Sequence, residues 1–163
     1  MIIRPANSAD ALQVSEIYNH YIATSHATFE IEPIEAGEMA RRIDEVCGGG
    51  YPFLVCDDDG EVVGYAYGRQ FRPRSAYGYS IEVSVYTKLG CERQNIGTML
   101  YEKLFSEIKS RDFHVIIAGI SLPNDASVRL HEKFGLEKVA HFREVGSKFD
   151  RWIDVGYWEL ILI

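Results

Sequence analysis

The sequence predicts an α/β protein of three layers, with helices on both sides of a mixed sheet. Segments whose apolar residues recur every three or four positions are interspersed with segments of period two or of continuous apolar character, the signatures of amphipathic helices and of strands. Their order, β-α-α-β-β-β-α-β-α-β-β, interleaves the two kinds, which is the pattern that places helices on both faces of a sheet. At 163 residues, without an internal repeat, a low-complexity segment or a long linker, the chain is expected to form one domain over 1–163.

Ile2 to Arg4 read as a short strand, and Asn7-Ser8-Ala9-Asp10 supplies capping side chains before Val14, Ile17, Tyr18, Tyr21 and Ile22, which share one helix face. Met39, Ile43 and Val46 mark a weaker helix that stops at Gly48-Gly49-Gly50. A hairpin follows, Phe53 to Val55 and Val62 to Tyr67 around the acidic turn Asp57-Asp58-Asp59-Gly60. From Tyr79 to Tyr86 the chain alternates: Ile81, Val83 and Val85 take one face, and Ser80, Glu82, Ser84 and Tyr86 the other. Ile96, Met99, Leu100, Leu104 and Ile108 lie at helical spacing. Val115 to Ile120 is a near-continuous apolar run, expected of a central strand covered on both faces. Asn124 or Asp125 caps a short helix that ends at Gly135, and strands over about Glu137 to Val145 and Trp152 to Leu162 close the chain.

Composition excludes several functions. No stretch approaches the ~20 apolar residues of a membrane span, and the start MIIRPANSAD lacks the basic and apolar regions of a secretory signal, so a cytoplasmic location is expected. Cys47, Cys56 and Cys91, odd in number and widely spaced, predict neither a disulfide framework nor a zinc site. Seventeen basic against 24 acidic side chains give a net charge of −7, which repels a phosphate backbone and argues against nucleic acid as a partner. An anionic ligand must be held by a local device such as backbone N–H groups.

The loop Cys91 to Thr98 offers one. It leads into a strongly amphipathic helix, so unpaired N–H groups and the positive end of the helix dipole converge there, with small residues at Gly97 and Thr98 and a cation at Arg93. Every helix has such an end, and most bind only water. Asn124 needs no ligand as a cap, Lys133 reads equally as a solvated helix residue, and Glu82 is a lone carboxylate whose face is either solvent or a cleft with a task.

The segments IEVSVY, ERQNIGTMLYEKL and ISLPNDASVRLHEKFGL, in that order, resemble the acetyl-CoA core of the GNAT superfamily of N-acetyltransferases. IYNHYIATSHATFEIEP, RPRSAYGYSIEVSVY and VGSKFDRWIDVGYWEL are similar to its phosphinothricin and methionine sulfoximine N-acetyltransferase branch, so the likeness spans nearly the whole chain. It implies a GNAT-like fold with a mixed, mostly antiparallel sheet, and transfer of acetyl from acetyl-CoA to the α-amino group of phosphinothricin, methionine sulfoximine, methionine sulfone or a similar amino acid, without a metal. It also implies a homodimer.

Residue by residue, the resemblance places the cofactor's pyrophosphate at Arg93, Gln94, Asn95, Ile96, Gly97 and Thr98 and its pantetheine arm along Val85, Tyr86 and Thr87, with Asn124 and Lys133 nearby. The family pattern, Gln or Arg, two residues, Gly, one residue, then Gly or Ala, here meets Glu92, Asn95 and Gly97, so two of three positions depart from it. Asn tolerates left-handed backbone better than most residues, which lets Asn95 keep the loop geometry. Only a neutral amine attacks a thioester, and an α-amino group with a pKa of about 8 is mostly protonated at neutral pH. The resemblance gives its deprotonation to Glu82 and gives His131 a catalytic or orienting role at the departing thiolate. Phe29, Glu30, Arg72, Arg74, Ser75, Ala76 and Tyr77 are implied on the substrate side, although the two arginines read equally as surface charges. His20, His26, His114 and His141 read as structural, and Trp152, Tyr157 and Trp158 as core or interface aromatics. Two other readings remain: a non-catalytic acyl-CoA sensor, and an acetyltransferase acting on a protein amine.

Overall fold

Asn7 opens the first helical segment by accepting the Ala9 N–H at 2.9 Å, while Asp10 returns a bond to the Asn7 N–H at 2.9 Å. The buried Asp10 carboxylate also takes both terminal nitrogens of Arg4, at 2.9 and 2.7 Å, and the same guanidinium reaches Asp57, so one charge cluster ties the chain start to its first helix and second strand. In this computed structural model, which describes residues 1–91 and 94–163, the elements follow the expected order. They are β1 (Ile2–Pro5), α1 (Ala11–Thr24), α2 (Ala36–Gly48), β2 (Phe53–Asp58), β3 (Glu61–Gln70), β4 (Ser80–Thr87), α3 (Ile96–Lys109), β5 (Val115–Leu122), α4 (Asp125–Lys133), β6 (Glu137–Lys148) and β7 (Arg151–Ile161).

The seven strands form one sheet in the order β1-β2-β3-β4-β5-β7-β6. Every neighbouring pair is antiparallel except β4 and β5. Two apolar cores cover its faces, which confirms the three layers. On one side, Val14, Ile17 and Ile22 of α1 and Met39 and Ile43 of α2 pack on Phe53, Val55 and Tyr65. On the other, Leu100, Leu104 and Ile108 of α3 pack on Ile81, Val83, Ile116 and Ala118, with Trp158. The β4 alternation holds: Ile81 and Val83 enter the second core, and Tyr86 turns to the first. Among the described residues, no helix is long and apolar enough to cross a membrane.

Strand β5 departs from the expected cover on both faces. Ile116, Ala118 and Ile120 are in the core, but Gly119 and Ser121 on the opposite face line open cavities. An apolar run does not reveal which face is open, because glycine and β-branched residues suit either. The β4–β5 pairing covers only Ser80–Ile81–Glu82 against Val115–Ile116–Ile117. Beyond Glu82 the two strands diverge, and the wedge between them is where the cavities meet.

Candidate active site

The smaller cavity, about 400 Å³, lies in that wedge. Val85, Tyr86 and Thr87 form one wall, Asn95, Ile96, Gly97 and Thr98 its floor, and Asn124 and His131 the α4 side, so the structure brings together most of the residues expected to hold the cofactor. Because β4 has lost its β5 partner here, its backbone groups are available to pair with an extended ligand as an added strand would. Asn95 stands at the α3 N-terminus with φ of 56°, in the left-handed region, as expected of a residue replacing glycine. No acidic side chain occupies the first turn of α3, so its unpaired N–H groups present positive potential toward the cavity. Asn124 caps α4 by accepting the Ser127 N–H at 3.2 Å. Lys133 donates to Thr98 at 3.3 Å and thereby adds a cation to the α3 N-terminus. Gln94 is exposed and does not line the cavity. Arg93, with Glu92, lies outside the described residues.

His131 is 4% exposed, and both ring nitrogens are engaged within the protein. Nδ1 donates to the Ser127 carbonyl at 2.7 Å, and Nε2 accepts from the Tyr101 hydroxyl at 2.8 Å. Burial holds its pKa below the ordinary histidine value, against a smaller opposing effect of the Ser127 carbonyl. A neutral, doubly bonded imidazole fits orientation of α4 better than proton donation.

The larger cavity, about 1060 Å³, opens on the α1–α2 side of the sheet. Phe53, Tyr65 and Tyr67 stack along one wall with ring planes within 14° of parallel. Glu82 lines it, but not as a lone carboxylate: Arg69 Nε donates to Oε2 at 3.0 Å, and Nη2 lies 2.9 Å from the same oxygen in the ion pair. Oε1 is left beside Gly119, 3.7 Å from the position a Cβ would take there. Ala27, Ser84, Tyr86, Gly119 and Ser121 line both cavities and therefore mark their junction.

On the substrate side, Phe29 and Glu30 line this cavity, with Glu30 held by Arg42 at 2.6 and 2.9 Å. Arg72, Arg74, Ser75, Ala76 and Tyr77 are exposed and do not line it; Arg72 stacks on Phe71, whose ring meets Tyr77 edge-on. The arginines that line the cavity are instead Arg41 and Arg42 of α2 and Arg69, the last set opposite Glu82 by the β3–β4 register. His26, read from the sequence as structural, bonds Ser121 and also lines the cavity. Lys148, which no local pattern in the sequence marks, donates to the carbonyls of Ser25 and Thr28 and fixes the loop that carries His26 and Phe29. That Phe29 ring packs on Gly146 so closely that a Cβ would stand 2.4 Å from it. Of the aromatics near the C-terminus, Trp158 is core, Tyr157 lines the cavity and Trp152 is exposed.

Among the described residues no group of three or more His, Cys, Asp or Glu is placed to hold a metal ion. Residues 3–156 match the family described as acetyltransferase (GNAT) domain. The phosphinothricin N-acetyltransferase of Streptomyces viridochromogenes is 38% identical over 157 residues, covering 96% of this chain and 85% of that one. The L-methionine sulfoximine/L-methionine sulfone acetyltransferase of Salmonella typhimurium is 33% identical over 162 residues, covering 99% and 95%. A crystal structure of a GNAT superfamily phosphinothricin acetyltransferase from Sinorhizobium meliloti in complex with AcCoA superposes with a TM-score of 0.95 at 33% identity, covering 99% of this chain and 88% of that one. The chain belongs to the GNAT family and is an N-acetyltransferase.

Proposed function

We propose that this enzyme transfers acetyl from acetyl-CoA to the α-amino group of a small amino-acid-like substrate of the phosphinothricin, methionine sulfoximine or methionine sulfone type. The observation that supports it most is the junction of the two cavities at the β4–β5 wedge, with one Glu82 oxygen facing the larger of them. The residues of the smaller cavity fit acetyl-CoA: the open edge of β4 suits the pantetheine amides, and the α3 N-terminus with Lys133 suits the pyrophosphate. Acetyl-CoA supplies the thioester carbonyl.

Glu82 Oε1 receives the substrate ammonium and takes the proton that frees its lone pair, directly or through water. Arg69 fixes the carboxylate so that the same oxygen always faces the amine. The stacked tyrosine wall provides an apolar surface for the substrate side chain, and its polar rims fix orientation. His131 keeps α4 in place against Tyr101. A homodimer in the cytoplasm completes the reading, with the exposed β6–β7 hairpin as the contact.

The test is thiol release from acetyl-CoA with L-methionine sulfone, L-methionine sulfoximine and phosphinothricin as acceptors. Saturable release with at least one of them is expected. Acetyl-CoA binding without release for any small amino acid would leave a sensing domain instead, and release only with peptide amines would move the acceptor to protein.

A further inference from the structure

His26, in the loop after α1, lines the amine cavity. Its Nδ1 lies 3.0 Å from Ser121 Oγ on β5, and that hydroxyl donates to the carbonyl of His26 itself at 2.5 Å. A hydroxyl has one proton to give. With that proton on the carbonyl, Oγ is the acceptor and Nδ1 carries the ring hydrogen, which leaves Nε2 with the lone pair. Nε2 has no hydrogen-bond partner among the described residues and is not sealed from solvent.

Its place relative to Glu82 is set by the sheet. Ser121 lines both cavities, and Gly119, two residues earlier on the same face of β5, lies against Glu82 Oε1. Same-face neighbours on a strand are about 6.6 Å apart. A free carboxylate oxygen and an imidazole anchored on β5 therefore flank the same stretch of cavity, from β4 and from the loop after α1.

We propose that His26 is a second proton acceptor for the attacking amine, oriented by Ser121; this rests on the transferase reading above. The nitrogen sheds two protons between ammonium and amide. The first goes to Glu82, the nitrogen–carbon bond forms, the carbon–sulfur bond breaks, and the second goes to Nε2. The thiolate takes one proton from water, and Glu82 and His26 return theirs to solvent, so each transfer releases one proton net. The charged surroundings suit a ring that starts neutral. Burial, then Arg151 and Lys148 from the β6–β7 side, hold His26 below the ordinary histidine pKa, opposed by a bond to its own backbone. The carboxylates of the other walls, Glu82, Glu30 and Glu45, are each paired with an arginine.

The experiment compares wild type, His26→Gln and Ser121→Ala over a pH series, with acetyl-CoA and L-methionine sulfone. His26→Gln is expected to lower kcat by about 100-fold, to leave KM for acetyl-CoA near that of wild type, and to remove one titrating group from the acidic limb of kcat/KM. Ser121→Ala is expected to give a smaller loss with that group still present. A fall of equal size at every pH, or an unchanged kcat, overturns the proposal and leaves the transferase reading intact. No turnover by wild type with this or any other small amino acid overturns that reading itself, and the proposal with it. Nitrogen-15 shifts of the His26 ring in the wild-type protein decide the matter independently of variant folding: a neutral Nδ1–H ring at pH 7 is expected, and an Nε2–H or cationic ring overturns the proposal.

Discussion

Arg69 holds Glu82 by one oxygen only. Its Nε and Nη2 converge on Oε2 at 3.0 and 2.9 Å, and Oε1 is left to face the cavity beside Gly119. A half-engaged carboxylate is oriented without being consumed. Glu82→Gln keeps the shape but cannot take a proton, so kcat is expected to fall by about 10²- to 10⁴-fold with acetyl-CoA affinity unchanged. Arg69→Gln, which loosens the orientation, is expected to cost about 10-fold. In the Glu82→Gln background the Arg69 change should cost almost nothing more, because the two act as a unit. Thiol-release kinetics on the four proteins measure the coupling; additive losses would show that Arg69 acts on the substrate by itself.

Asn95 stands at φ 56°, where most side chains are strained. Replacing it with a β-branched residue is expected to destabilise the fold by about 1–2 kcal/mol and to weaken acetyl-CoA binding by displacing the first N–H groups of α3. Asn95→Gly should preserve both. Thermal melts and calorimetric titration with acetyl-CoA check the pair, and equal affinity of Asn95→Val and wild type would remove the loop geometry from cofactor binding.

What was legible in the sequence was whatever depends on near neighbours. The helices from Val14 to Ile22 and from Ile96 to Ile108 follow from their spacing, and left-handed backbone at Asn95 follows from the resemblance, since Asn stands where the family pattern has glycine. Ser121 and His26 are 95 residues apart in the chain, and Lys148 is 123 from Ser25, so no local pattern announces either contact. Arg69 meets Glu82 through a hairpin whose nine-residue link hides the register. The open face of β5 was hidden for another reason: a run of apolar residues looks the same whether one or both faces are covered.

Lys148 is 5% exposed and faces carbonyls instead of a carboxylate. Burial lowers its pKa from the usual 10.5, so the unfolded chain binds the proton more tightly than the folded one. Stability contributed at this position therefore rises with pH between the lowered value and about 10.5. Lys148→Met should abolish that alkaline gain. It also leaves two carbonyls without their donor, which is expected to cost about 1–3 kcal/mol at pH 7. Because the freed loop carries His26 and Phe29, KM for the amine should rise more than kcat falls, with KM for acetyl-CoA unchanged, and Lys148→Arg should restore part of the loss. Denaturant melts from pH 7 to 10.5 and steady-state kinetics test both; an amine KM equal to that of wild type would separate the lysine from the site.

Strand β6 is a sheet edge twelve residues long, and such an edge invites pairing unless covered. Phe142 and Val145 on it, and Trp152 opposite on β7, are 52%, 59% and 69% exposed, more apolar surface than an isolated hairpin tolerates well. An isologous contact between two copies hides this patch on both chains at once. The proposed homodimer is expected to show a mass twice the 18.5 kDa of the chain by light scattering. Phe142→Glu with Trp152→Glu should give monomers that remain folded, since neither side chain enters a core. Lys148 ends the same strand and holds the cavity loop, so loss of the dimer should also raise the amine KM. A wild type that elutes as a monomer at micromolar concentration would leave the hairpin without this role, and a double variant that stays dimeric would place the contact on another face.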